Sequence, residues 1–70
     1  MTIRHLQIFI AAADTGQMSA AAKELFITQP TVSQAIADIE NSYGIRVFER
    51  LSRRLYLTPE GAQMLEYARH

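Results

Sequence analysis

SAAAKELFITQPTVSQ, residues 19–34, is the stretch of this 70-residue chain that decides its fold. The first half of the stretch is small and apolar, so a second helix can approach it closely. In the second half, Thr28 is suited to cap the start of a helix, and Pro30 falls in the first helical turn, where its missing N–H leaves no hydrogen bond unmade. The stretch therefore predicts two short helices joined by a tight turn.

The helix that follows the turn is predicted over about 29–43, because Gly44 is the kind of residue that commonly ends a helix. At about 100° per residue, four apolar side chains fall within roughly 60° of one another and form a core stripe: Val32, Ile36, Ile39 and Tyr43. The opposite face carries small or uncharged groups and no charge before Asp38. Such a face suits the major groove of DNA, which is about 12 Å wide and is read by hydrogen bonds.

The segments before this stretch also have helical patterns. A first helix is predicted over about 3–13, with Thr2 as its N-cap and Gly16 in the reversal that follows. Its predicted apolar stripe consists of Ile3, Leu6, Ile10 and Ala13, with Phe9 beside it. The second helix is predicted to run from residue 18 or 19 to residue 25 or 26.

A β-hairpin and a fourth helix are predicted after residue 44. The segments 47–50 and 55–58 are rich in strand-forming residues, and the turn 51–54 between them contains no Gly or Asn, which leaves its tightness open. Thr58 and Pro59 then begin a helix with a cap and a first-turn proline. Its apolar stripe consists of Gly61, Met64, Leu65 and Ala68. Because the sequence ends inside this helix, we expect the chain to be a fragment of a longer protein.

The composition limits the class of protein. A hydrophobic content of 49% and a charged content of 20% exclude a disordered chain. Seventy residues allow one small domain at most. The absence of cysteine excludes a disulfide framework and a thiolate metal site. No apolar run approaches the roughly 18 residues that a membrane span needs.

The charge is balanced overall but uneven along the chain. Seven basic and seven acidic side chains give a net charge of zero, whereas the footprint of a DNA-binding domain is usually basic. Four arginines nevertheless lie close together in the sequence, opposed only by Glu49: Arg46, Arg50, Arg53 and Arg54. A local basic cluster of this kind can bind phosphates, with weak steering and a strong salt dependence.

One pattern extends over nearly the whole chain: Ser19, Ala21, Ala22, Leu25, Thr28, Gln29, Pro30, Val32, Ser33, Ile36, Ile39, Glu40, Gly44, Val47, Phe48, Arg50, Arg54, Leu57, Thr58 and Gly61. This pattern resembles the N-terminal domain of LysR-type transcriptional regulators. The resemblance implies a mainly α, winged helix-turn-helix DNA-binding domain, which we assign to residues 1–58. It also implies that residues 59–70 begin a linker helix through which the protein dimerises.

The resemblance has further implications for the parent protein. It implies a bacterial regulator that is cytoplasmic and associated with the nucleoid, with a C-terminal domain for a small-molecule effector. No cofactor is therefore expected in this chain. The expected partners are double-stranded DNA, as an inverted-repeat operator, and further copies of the protein in a homodimer or tetramer. No membrane partner is expected.

Three positions depart from the residues that are frequent in this family. Thr28 replaces Ser before Gln-Pro and caps a helix almost as well. Gln17 stands where Ser is frequent near the start of the second helix, so the pattern does not support a phosphate contact there. Gln34 stands where Arg is frequent, and Gln prefers the N6/N7 edge of adenine whereas Arg reads guanine.

The predicted DNA contacts lie in the third helix and at the hairpin. In the helix, five residues can contact base edges, phosphates or a thymine methyl group: Gln29, Pro30, Thr31, Ser33 and Gln34. At the hairpin, Arg53 and Arg54 are suited to phosphates or to the neighbouring minor groove. Two roles stay open for Arg50, which can contact DNA or pair with Glu49 or Glu40.

Two interpretations also remain for three apolar residues of the fourth helix, Met64, Leu65 and Ala68. They can pack on the core of their own domain or form a dimer interface, which we favour because the helix extends beyond the small domain. His5 and His70 are isolated from each other and from any carboxylate cluster, so no metal site is predicted. Ser33 has no histidine and acid arranged to activate it, so the chain is not predicted to be an enzyme.

The sequence thus predicts sequence-specific DNA binding, with helix 29–43 in the major groove and the wing, residues 51–54, on the backbone or in the minor groove. The alternative is a winged-helix module that binds another protein and does not contact DNA. The net charge of zero motivates this alternative.

Overall fold

The computed structural model describes residues 1–70, which form four helices and one antiparallel hairpin. In chain order the elements are α1 (Ile3–Thr15), α2 (Met18–Leu25), α3 (Gln29–Tyr43), β1 (Phe48–Leu51), β2 (Arg54–Leu57) and α4 (Pro59–Arg69). The predicted mainly α class, with a hairpin between the third and fourth helices, is confirmed. The bounds of α2 and α3 agree with the prediction, whereas α1 ends at Thr15 rather than at Ala13.

The ends of the helices follow from local hydrogen bonds. Thr2, Thr28 and Thr58 each accept a hydrogen bond through the side chain from the backbone N–H three residues later. Gly16 and Gly44, with φ of 73° and 64°, end α1 and α3 in the left-handed conformation. These caps were all predicted from the sequence and are confirmed, because they depend only on residues within one turn.

The core lies between α1, α2 and α3, and the hairpin covers one side of it. The rings of Phe9 and Phe48 join α1 to β1, with their centroids 5.5 Å apart. At Gly61 a Cβ atom would overlap the carbonyl oxygen of Val47, so glycine allows α4 to approach the hairpin closely. Fourteen buried residues form the cluster: Ile8, Phe9, Ala11, Ala12, Met18, Ala21, Ala22, Val32, Ala35, Ile36, Ile39, Val47, Phe48 and Leu55.

The apolar stripe predicted for α1 was wrong, although Phe9, which was placed beside it, is fully buried. Ile3 is 76% exposed, and the other three predicted residues, Leu6, Ile10 and Ala13, are half-buried. The buried face is instead formed by Ile8, Phe9, Ala11 and Ala12. Because α1 is apolar around most of its circumference, its periodicity does not reveal which side meets α2 and α3.

The core stripe of α3 is correct in three of its four positions. Val32, Ile36 and Ile39 are buried, whereas Tyr43 is 53% exposed. Tyr43 is the last residue of α3, and there it lines an open groove with Leu6 and residues of α4.

The hairpin is shifted by one residue from its predicted strands, and its turn is tight. Phe48 pairs with Leu57 and Leu51 with Arg54, which leaves two residues in the turn. These are Ser52 and Arg53, with φ of 51° and 68°. Positive φ at both positions is what a type I′ turn requires, and here it occurs without Gly or Asn.

Candidate nucleic-acid interface

The outward face of α3 carries the predicted base-reading residues. Gln29, Pro30, Thr31 and Gln34 are exposed, and Ser33 is half-buried. They lie on the first two turns of a helix whose other side is buried against α1 and α2. The structure therefore brings all five together on one surface, as the sequence predicted, and holds that surface on the core of the domain.

The N-terminus of α3 is capped by two threonines. Thr28 Oγ1 accepts a hydrogen bond from the Thr31 backbone N–H at 3.3 Å and lies 2.8 Å from Thr31 Oγ1. The two hydroxyl groups are thus held at the positive end of the helix dipole. A helix N-terminus of this kind favours a phosphate oxygen nearby.

Gln34 is held by a residue that the sequence analysis did not assign to the interface. Its Nε2 donates a hydrogen bond to Asp38 Oδ1 at 2.9 Å. The second oxygen of this carboxylate, Oδ2, lies 3.4 Å from Nε2 of His5 on α1. The Gln34 hydrogen bond, followed by the His5 hydrogen bond, holds the pKa of Asp38 below its ordinary value.

The wing arginines line one concave surface with the helix-turn-helix. A pocket of about 440 Å³ lies between the hairpin, the start of α2 and the start of α3. Its polar lining consists of Ser19, Gln29, Arg50, Arg53 and Arg54. The three arginines therefore converge on one end of the α3 surface, which makes this pocket positively charged.

Arg50 forms no ion pair within the domain. The Glu40 carboxylate instead accepts a hydrogen bond from the Val47 backbone N–H, with Oε2 2.8 Å from the nitrogen. The ion pair of the structure is Arg69–Asp14, and His5 lies within hydrogen-bond distance of Asp38. The internal pairing that the sequence analysis left open for Arg50 is thus not observed, and its guanidinium group is available to another partner.

Sequence reasoning missed two further polar residues around α3. Ser19 lies at the start of α2, where Gln17 provides no side-chain cap and the first N–H groups are left for another acceptor. Arg4 lies on the opposite side, in a groove of about 490 Å³ that also contains Thr31 and Gln34. The sequence could have pointed to Ser19, because Gln17 is not a preferred capping residue and leaves N–H groups free at the start of α2. Nothing in the sequence places Arg4 beside α3.

The three apolar residues of α4 pack in part on their own domain. Met64, Leu65 and Ala68 are half-buried against the core cluster. Packing on the core of their own domain, one of the two interpretations from the sequence, is therefore observed in part. Met64 and Ala68 also line an apolar groove of about 460 Å³, beside Tyr67, which is 77% exposed. Nothing in this single chain tests the dimer interface, which stays a prediction.

Residues 1–70 contain no group of three or more metal-ligating side chains arranged around a common point. None of the four helices combines the length and the apolar character that a membrane crossing requires.

The arrangement defines the class of the protein. A helix with an exposed polar face follows a shorter helix across a tight turn, and an arginine-bearing hairpin stands beside it; this is a winged helix-turn-helix domain. Residues 3–62 match the family of bacterial regulatory helix-turn-helix proteins of the lysR type. The chain belongs to this family.

Relatives with similar sequences are longer than this chain. A probable hydrogen peroxide-inducible genes activator of Mycobacterium xenopi is 44% identical over 68 residues, which is 97% of this chain and 36% of the relative. The HTH-type transcriptional regulator TfdS of Cupriavidus pinatubonensis is 46% identical over 69 residues, 99% of this chain and 23% of the relative. The chain thus spans about a quarter to a third of the length of these relatives.

Solved structures of similar fold include complexes with DNA. The CbnR DBD–DNA complex superposes with a TM-score of 0.95 at 40% identity, over 99% of this chain and 79% of that one. The BenM DBD in complex with catB site 1 DNA gives a TM-score of 0.93 at 40% identity, over 97% of this chain and 76% of that one. At this identity and overlap, the backbone of the present chain is that of these domains.

Proposed function

We propose that this chain binds double-stranded DNA sequence-specifically, as the DNA-binding domain of a bacterial transcriptional regulator. The observation that carries the proposal is the polar face of α3, exposed on a rigid core and flanked by arginines. Arg50, Arg53 and Arg54 lie at one end of this face and Arg4 lies beside it. Uncharged hydrogen-bonding groups are suited to bases, and cations are suited to the phosphates around them.

In this proposal α3 enters the major groove with its first two turns. Gln29 and Gln34 contact base edges, and Pro30 can contact a thymine methyl group. Thr31 and Ser33 contact bases or phosphates, as does the N-terminus of α3. Support comes from CbnR and BenM, whose matching domains were crystallised with DNA.

The wing and the start of α2 bind the backbone on one side of the groove. Arg53 and Arg54 project from the hairpin tip toward phosphates or the neighbouring minor groove, and Arg50 contributes to the same pocket. On the opposite side of α3, Arg4 provides a further cation. In this proposal the positive charge of a neutral domain faces the DNA backbone on both sides of α3.

We assign residues 1–58 to the winged domain and residues 59–70 to the start of a linker helix. Met64, Leu65 and Ala68 form part of the surface through which two copies pair. The parent protein then binds an inverted repeat as a dimer or tetramer, with half-site spacing set by its symmetry. We place it in the cytoplasm at the nucleoid, as a regulator without enzymatic activity in this domain, whose small-molecule effector binds a separate C-terminal domain.

The experiment that tests this proposal is a selection of bound duplexes from a random library at low salt, with the full-length protein. Enrichment of an inverted repeat is the expected result and would also give the operator. Retention of duplexes without enrichment of any sequence would mean that the domain binds phosphates but does not distinguish bases. No retention by the folded protein would favour a protein-interaction module, the alternative that the net charge of zero motivates.

A further inference from the structure

The carboxylate of Asp38 accepts hydrogen bonds from two different helices. Gln34 Nε2 donates to Oδ1 at 2.9 Å, and His5 Nε2 lies 3.4 Å from Oδ2. The Thr2 backbone N–H donates to His5 Nδ1 at 3.3 Å, which requires Nδ1 to be the unprotonated ring nitrogen and leaves the ring proton on Nε2. His5 therefore donates to Asp38, and each carboxylate oxygen has its own donor.

This geometry restricts the side-chain amide of Gln34. A carboxylate only accepts hydrogen bonds, so Nε2 and not Oε1 of Gln34 must face Asp38. Rotation of the amide by half a turn would place Oε1 against Oδ1 with no proton between them. With the N–H cis to Cγ bound to Asp38, the amide edge turned away from the carboxylate presents Oε1 and the second N–H of Nε2 side by side.

That outward edge carries one acceptor and one donor. The pair matches adenine, whose major-groove edge offers the N6 amino group as donor and N7 as acceptor. Guanine offers O6 and N7, which are both acceptors, and it would need both N–H groups of Gln34, one of which Asp38 already binds. The free edge of Gln34 thus fits adenine and rejects guanine.

We propose that Asp38 is a positioning residue that orients the Gln34 amide and thereby sets a preference for adenine over guanine at one base pair. The inference rests on the proposed function of α3 in the major groove and adds the base that Gln34 selects. His5 is the second anchor of the carboxylate, since it lies on α1 and is itself held by the capping box at Thr2. The N-terminal turn of α1 therefore takes part in base selection without contacting a base.

The test is a comparison of Asp38→Ala with the wild type in the full-length protein. Dissociation constants are measured for the selected operator and for operators with adenine replaced by guanine at each position in turn. Asp38→Ala is expected to reduce the adenine-over-guanine ratio about five- to tenfold at one base pair and at no other. Glu24→Ala removes an exposed charge of the same sign from α2 and, as the matched control, should leave the ratio unchanged.

Two further variants separate positioning from a general structural effect. In a Gln34→Ala background, Asp38→Ala should change the ratio no further, because no amide is left to orient. Asp38→Asn has nearly the same shape but offers an amide N–H as well as an acceptor oxygen, so it no longer excludes the reversed Gln34 amide and should lose the ratio as Asp38→Ala does.

An unchanged ratio in Asp38→Ala or in Asp38→Asn would overturn the inference while the proposed function stands, and so would an equal loss in the Gln34→Ala background. If the wild type shows no sequence preference at all, the proposed function fails and the inference fails with it.

Discussion

The face of α3 and the tip of the hairpin belong to one proposed interface but are built in opposite ways. The α3 face carries no charge before Asp38 and is held from below by the buried side chains of Val32, Ile36 and Ile39. The hairpin tip is exposed, carries two arginines without ion pairs, and turns through two left-handed residues. Uncharged groups on a packed helix can distinguish bases, whereas exposed cations bind the phosphates of any sequence. We therefore expect specificity and affinity to come from different elements of this domain.

The largest expected effect is on affinity and comes from the hairpin. Reversing both charges in Arg53→Glu with Arg54→Glu should weaken binding to every duplex about 100-fold, or about 3 kcal/mol, and reduce the slope of log affinity against log salt by about 2. Fluorescence anisotropy with operator and scrambled duplexes at several salt concentrations measures both. Arg69→Ala, which removes a cation from α4, is the control; an equal loss there, or none in the double variant, would contradict the role of the wing.

A change in the α3 face should act on sequence discrimination instead. Gln34→Ala is expected to reduce the binding free energy for the operator by about 1–3 kcal/mol, because it removes a contact to one base. Binding to scrambled DNA should change little. Arg53→Ala should weaken binding to both duplexes by similar amounts. Competition binding with the two duplexes measures the difference. An equal loss of affinity for both duplexes in Gln34→Ala would show that Gln34 does not contact a specific base.

The strained turn allows stability and binding to be separated. Ser52→Asn combined with Arg53→Gly places the preferred residues of a type I′ turn at the two positions with positive φ. Relief of left-handed strain, offset by the chain entropy of glycine, should raise the free energy of unfolding by about 1 kcal/mol. DNA binding should weaken at the same time, because Arg53 is lost.

Urea denaturation and binding measurements on the same samples check this prediction. Ser52→Asn alone keeps Arg53 and should keep the wild-type affinity. A loss of stability in the double variant would show that the native turn is not strained.

The smallest expected effect is on the titration of Asp38. Hydrogen bonds from Gln34 and then His5 hold its pKa below the ordinary value. Since the folded pKa lies below the unfolded one, this carboxylate contributes stability that is present above the unfolded pKa and is lost as pH falls through the folded pKa. Gln34→Ala removes the largest cause, so the pKa should rise toward its ordinary value and the contribution should shrink.

Carboxyl-carbon NMR titration of the protein measures this pKa directly. Gln29→Ala, which removes an exposed amide from the same helix but not the hydrogen bond, is the control. An unchanged Asp38 pKa in Gln34→Ala would mean that the hydrogen bond does not persist in solution.

Much of the proposed interface could be predicted from the sequence, because α3 carries the predicted base-reading residues in one short segment. The helical period and the positions of the core residues were enough to place Gln29 to Gln34 on one face. Arg4 and His5 could not be placed there by the same reasoning. His5 is separated from Asp38 by 33 positions in the chain, and only the packing of α1 on α3 brings them together.

The sequence by itself determined, to within one or two residues, where the helices begin and end and where the hairpin lies. It also determined which family the chain belongs to. Those features depend on hydrogen bonds and side-chain patterns within a few residues, such as the caps at Thr2, Thr28 and Thr58. Only the tertiary structure decided which side of α1 is buried, since that helix is apolar on more than one face and periodicity cannot choose between them. It also decided the orientation of the Gln34 amide, because one of the two donors that hold Asp38 comes from a different helix.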